Sequence, residues 1–157
     1  MAYTTIDDPT IYFNTKVYTG DGASSKSITG VGFQPDWVWI KEADASVEAH
    51  SLYDSVRGVQ KVLQTNATAA EATESNGLSA FNSDGFTVGG SGAINGNGNT
   101  IVSWNWIGSG SASSNGDGSI TSSVSANTTA GFSIVSYSGT GSNATVGHGL
   151  GFPAPRS

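Results

Sequence analysis

The sequence predicts an all-β fold, a sandwich or a barrel, on three observations. Short runs rich in β-branched and aromatic residues recur along the 157 residues, separated by turn-forming Gly, Asn, Asp and Ser. Asn76-Gly77 and Asp84-Gly85 are strong turn dipeptides, because Asn, Asp and Gly tolerate positive φ. Trp37-Val38-Trp39-Ile40 alternates indoles with aliphatic side chains, the two-residue period of a strand, and Trp104 and Trp106 repeat the indole spacing.

Taken in order, these signals place strands at residues 11–19, 25–31, 36–41, 51–54, 78–82, 87–89, 100–107, 119–124, 131–137 and 144–146. The strands holding the tryptophan pairs are apolar on both faces, so they are expected at the centre of the fold, covered on both sides. Residues 66–75 read equally as a helix or a loop, since Ala67, Ala69, Ala70 and Ala72 accompany Glu71 and Glu74. The candidate core comprises Phe33, Trp37, Trp39, Phe86, Trp104, Trp106, Phe132 and Tyr137. Residues 1–10 form a polar arm, 11–130 the sandwich, and 131–157 an additional segment.

That last segment is a partial repeat. Tyr18-Thr19-Gly20-Asp21-Gly22 matches Tyr137-Ser138-Gly139-Thr140-Gly141, and Gly30-Val31-Gly32-Phe33 matches Gly149-Leu150-Gly151-Phe152, both at an offset of 119. Phe13 and Phe132 correspond at the same offset. Matches among Gly and Ser come cheaply in this composition; aromatics in register do not. The second copy is expected to pack on the sandwich or on a neighbouring subunit.

Composition bounds the function. A net charge of −6 with six scattered basic residues offers no patch for phosphates, so neither nucleic acid nor an anionic membrane is an expected partner. The chain has no cysteine, which rules out disulfides and thiolate chemistry. It shows neither a signal-peptide pattern nor an apolar run of about 20 residues. Charged residues are 11% of the chain, and after Ser75 they are only Asp84, Asp117 and Arg156, which leaves a hydroxyl- and amide-rich second half.

Several constellations have the right residue types for chemistry. His50, Ser51 and Asp54 contain the components of a triad, but triads depend on geometry, and no nucleophile elbow is present. Asp36, Glu42, Asp44, Glu48 and Asp54 could supply a carboxylate pair for glycoside hydrolysis; solvated strand and loop ends are the simpler reading. Asn95-Gly96-Asn97-Gly98-Asn99 and Asn115-Gly116-Asp117-Gly118 carry too few carboxylates for a calcium loop and read as turns. The glycine- and serine-rich stretch at residues 107–113 lacks the lysine of a phosphate cradle. Asp54 and Arg57 are expected to anchor a loop through charge-assisted hydrogen bonds. No catalysis, metal or cofactor is expected, and a carbohydrate site built on an exposed aromatic stays open.

Seven segments in fixed order resemble a domain of virion structural and tail-fibre proteins in marine and cyanobacterial tailed phages, often found in tandem. They are Tyr18-Thr19-Gly20; residues 30–41, which read GVGFQPDWVWIK; Tyr53-Asp54-Ser55-Val56-Arg57-Gly58; residues 81–89, FNSDGFTVG; Ser103-Trp104-Asn105-Trp106; Gly131-Phe132-Ser133-Ile134-Val135; and Val146-Gly147-His148-Gly149-Leu150-Gly151. The resemblance implies a lectin- or SPRY-like antiparallel β-sandwich of jelly-roll or concanavalin type with at most one short helix. It carries no catalytic residue. It implies a surface accessory subunit on the capsid or an appendage, located in the virion and partnered by major capsid or tail subunits. A homo-oligomer, such as a trimer, is expected on symmetry grounds. The alternative is a tail-tip module that binds a receptor or a host-surface glycan.

Overall fold

The computed structural model describes residues 6–44 and 48–151. Part of the expected N-terminal arm, residues 1–5, and the end of the second repeat copy, from Phe152 on, lie outside the described residues. The chain is an all-β sandwich with antiparallel strand pairing. Six strands form the main sheet, in the order β1 (Phe13–Thr19), β9 (Thr100–Trp106), β3 (Trp37–Glu42), β4 (Ser51–Asp54), β5 (Lys61–Gln64) and β6 (Ala72–Thr73). β2 (Lys26–Thr29), β8 (Gly85–Val88) and β7 (Leu78–Asn82) form a second sheet, and β10 (Ser113–Asn115), β11 (Ser122–Asn127) and β12 (Phe132–Ser136) a third.

Strand pleating decides which residues make the core. On β3, Val38 and Ile40 point inward at 0% exposure, while Trp37 and Trp39 point to the opposite face. The inner face meets the β2-β8-β7 sheet, where Ile28, Leu78, Phe86 and Val88 close around Val38, Ile40, Tyr53 and Ile101. Phe33 and Phe86 belong to this core. The inner face is not purely apolar. Asn105 is fully buried and donates from Nδ2 to Asn14 O and Ser103 Oγ, while Asn14 donates to Val31 O. These bonds offset the desolvation of the amide N–H groups in a low-dielectric layer, while Asn105 Oδ1 is without a partner among the described residues.

β3 and β9 are central, as expected, but their two faces are covered unequally. The inner face is sealed, whereas all four tryptophans stay half-buried on the outer face, because the third sheet reaches only part of it. Tyr137 is 56% exposed and is not a core residue; it lies just past the end of β12.

Other boundaries also differ from expectation. Residues 66–75 form a loop ending in the two-residue β6, without a helix. β5 and β10 carry almost no alternation and gave no strand signal. Residues 119–124 shift to Ser122–Asn127, where β11 pairs with β12. Residues 144–146 make only an isolated parallel bridge between Ile120 and Val146. Among the described residues the helical content is a 3-10 turn at Pro9–Ile11 and one α-turn, Gly92–Asn95.

Candidate functional site

The outer face of the six-stranded sheet is an aromatic surface. Antiparallel register sets Trp37 opposite Trp106 and Trp39 opposite Trp104, and places Phe13 of β1 beside Trp106. Residues at i and i+2 share a face, so two short Trp-x-Trp motifs on adjacent strands put four indoles together. Trp39 and Trp104 lie 5.3 Å apart, and Phe13 and Trp106 4.6 Å apart.

One end of this surface is covered. Phe132, the first residue of β12, stacks on Trp106 at 6.0 Å and meets Trp37 edge-on at 6.1 Å. Trp106 therefore touches both Phe13 and Phe132, the two phenylalanines related by the 119-residue offset. Farther along, β12 overhangs a cleft of about 350 Å³ lined by Trp37, Leu52, Leu63, Asp54, Arg57 and residues 133–137. Arg57 is engaged there through all three of its side-chain nitrogens. It donates to Asp54 Oδ2 and Glu71 Oε2 and to the carbonyls of Lys61 and Leu52. Asp54 also accepts the backbone N–H groups of Val56 and Arg57, so the pair ties the β4–β5 turn together.

The other end is more open. His50 packs on Trp39 at 5.7 Å, beside Trp104, and on β1 Val17 faces solvent at 62% exposure. The indole N–H of Trp39 and Nδ1 of His50 are enclosed without hydrogen-bond partners among the described residues. Half-buried indoles beside an imidazole can stack against a planar or C–H-rich ring, as a pyranose presents.

The structure separates the residues of the paper triad. Ser51 is buried on the inner face, opposite Ile40, and Asp54 is bound to Arg57, four residues (about 13 Å of strand) from His50. His148 is exposed and accepts the N–H of Leu150. The acids are dispersed as well. Asp36 accepts from Gly108 N–H, Gly110 N–H and Ser55 Oγ, and Asp44 accepts from Thr100 N–H. Glu42 is buried, with Oε2 unpartnered among the described residues. Glu48 and Glu74 line a polar cleft of about 450 Å³ with Gln64, Thr73 and Ser91. Both oxygens of Glu74 are used there, by Tyr53 Oη and Ser91 Oγ. Burial and the neighbouring Glu74 carboxylate push the Tyr53 phenol well above its usual value.

The Asn- and Gly-rich segments read as turns are held by hydrogen-bond locks. Asn95 is fully buried and holds residues 21–23 through bonds with Asp21 and Ala23, and Asn115 closes a local turn with Asp117. Among the described residues no three His, Cys, Asp or Glu side chains converge as a metal site.

Sequence reasoning also missed the role of Asp84. Its carboxylate accepts Gly30 N–H at 2.9 Å and Gly32 N–H at 2.7 Å, and these two bonds hold its pKa below the usual carboxylate range. Gly30 and Gly32 sit at φ +79° and +91°, in a backbone concavity that binds anions. The Gly-Val-Gly spacing was visible in the sequence, but its acid lies more than fifty residues away.

No curated protein and no solved structure matches this chain. A family model described as a domain of unknown function, DUF7483, matches residues 8–156, which takes in the sandwich, the third sheet and both copies of the repeat. The chain belongs to the DUF7483 family.

Proposed function

We propose that this protein is a non-enzymatic structural component of a tailed-phage virion, a surface subunit that decorates the capsid or an attached appendage. The supporting observation is a rigid core paired with a duplicated contact segment. Residues 132–151 reproduce the first strand and the positive-φ glycines of residues 13–32, while the counterpart of β2 at residues 145–148 forms no strand. The titratable groups around the clefts serve mostly as internal staples, as Asp36, Asp54, Arg57 and Glu74 do. Such a molecule is suited to contact through its surfaces, and the ordered motifs shared with virion domains point to the particle as the setting. Mass spectrometry of purified particles tests this. Copies in the hundreds, in fixed ratio to the major capsid protein, are expected for a head subunit, and a few copies for a tail component. Absence of the chain from purified particles would sink the reading.

A second reading, a tail-tip module that binds a receptor or host-surface carbohydrate, is favoured by the open Trp39–Trp104–His50 end of the sheet. It predicts that the isolated protein binds glycans and that Trp104→Ala weakens binding at least tenfold. A glycan screen with no binder, or binding indifferent to Trp104, counts against it.

A further inference from the structure

The two copies of the repeat match at their positive-φ glycines as well as in sequence. Gly22, Gly30 and Gly32 have φ of +67°, +79° and +91°; their counterparts Gly141, Gly149 and Gly151 have +74°, +70° and +83°. Each copy follows an Asx-locked turn, in which Asp8 accepts Thr10 N–H and Asn127 accepts Ala130 N–H, and then opens a strand with phenylalanine.

Their surroundings differ. In the first copy, β1 pairs with β9 in full register; Tyr18 donates to Ile94 O and packs on Phe86, and Asp84 fills the Gly30–Gly32 concavity. In the second copy, β12 pairs with β11 and, like β1 at the edge of the main sheet, has no strand on its other side among the described residues. Tyr137, the counterpart of Tyr18, is 56% exposed. No acidic side chain among the described residues hydrogen-bonds to Gly149 or Gly151, although their backbone repeats that of the Asp84 site.

The geometry points to the second copy as a docking element for a second copy of this chain: β12 enters the β1 position of a neighbour, pairs with its β9, and places Tyr137 in its Tyr18 site and the Gly149–Gly151 concavity over its Asp84. The first copy identifies the occupant, because the surface that accepts residues 13–32 is carried by every molecule of this sequence. The contact is head-to-tail and propagates from chain to chain. The resident segment holds the site in the isolated molecule. Ser133 lacks the amide with which Asn14 holds Val31 O, and Thr140 lacks the carboxylate with which Asp21 bonds Asn95 and Lys26. Exchange is therefore a high-concentration reaction, as on a crowded particle surface.

Because the chain has no cysteine, disulfide trapping is clean. Tyr12 O accepts from Ile107 N–H and Asn99 O from Gly20 N–H, which makes Val17 and Val102 a non-hydrogen-bonded pair with Cα atoms about 4.5 Å apart, within disulfide reach. The control V17C/V102C closes inside one chain. The test variant S136C/V102C, oxidised at high protein concentration, should give a ladder of chain-to-chain disulfides on a denaturing gel. Adding Tyr137→Ala, and separately moving the second cysteine out of register (S136C/T100C), should each reduce the ladder at least tenfold. A monomer-only gel while the control closes overturns the proposal. So does a dimer formed by S136C alone, which would show β12 pairing with β12. The readout needs only isolated protein, so it can fail while the virion role stands.

Discussion

At the scale of single residues, this molecule uses its few charges as fasteners for backbone. Asp84 and Asp21 show the pattern, each accepting main-chain N–H groups. For Asp21 the N–H of Ala23, then Lys26 and Asn95, hold the pKa down to about 2. A carboxyl whose folded pKa lies below its unfolded value of about 3.9 stabilises the fold fully above that value. This contribution shrinks as pH falls from about 4 and is gone below the folded pKa. The urea midpoint should therefore drop between pH 5 and pH 2, and Asp84→Asn should show a lower midpoint at pH 6 with a shallower acid decline. Parallel acid profiles for variant and wild type would contradict this. The phenols give a second prediction. Burial raises both Tyr18 and Tyr53, so these two phenols should stay protonated in an alkaline absorbance titration until the protein unfolds. Tyr53→Phe, which removes the donor to Glu74, should cost about 1–2 kcal/mol by chemical denaturation. The acids were plain in the sequence, but their partners, such as Gly30 and Gly32 for Asp84, were not.

At the scale of elements, the turn chemistry of the β7–β8 hairpin was readable, while its packing consequence was not. Gly85 has φ +140°, and a Cβ there would stand 2.0 Å from Ile28 O, across the β2–β8 pair. Gly85→Ala should break that pairing and lower the melting temperature by several degrees, with loss of amide protection centred on β2 and β8. Hydrogen exchange checks the location. Phe86→Ala, in the sealed core, should cost about 3–5 kcal/mol globally. Phe132→Ala should act differently, because Phe132 fastens the third sheet to Trp37 and Trp106 and lies outside the core between the first two sheets. Faster exchange in β11 and β12 with nearly unchanged protection in β3 and β9 is expected. Uniform loss across all three sheets would show that they melt as one unit.

At the scale of the whole molecule, the first two sheets form a closed sandwich, and the third begins a second copy of the same pattern against its back. Phe132 stacks where Phe13 already sits, on Trp106, so the two copies converge on one indole. The two copies are not equivalent within one molecule: Tyr18 is held and the Gly30–Gly32 concavity is filled by Asp84 in the first, whereas Tyr137 is exposed in the second.

The amino-acid sequence by itself determined the all-β class, the central place of β3 and β9, the Asp84-Gly85 hairpin turn and the internal duplication. Each of these rests on local periodicity or on backbone preferences that a few consecutive residues express. Only the tertiary structure decided which face of the tryptophan strands is core, which acid serves which loop, and that Tyr137 is exposed where Tyr18 is held. Those outcomes depend on what packs across from each strand, and two strands with the same alternation look identical until their neighbours are in place.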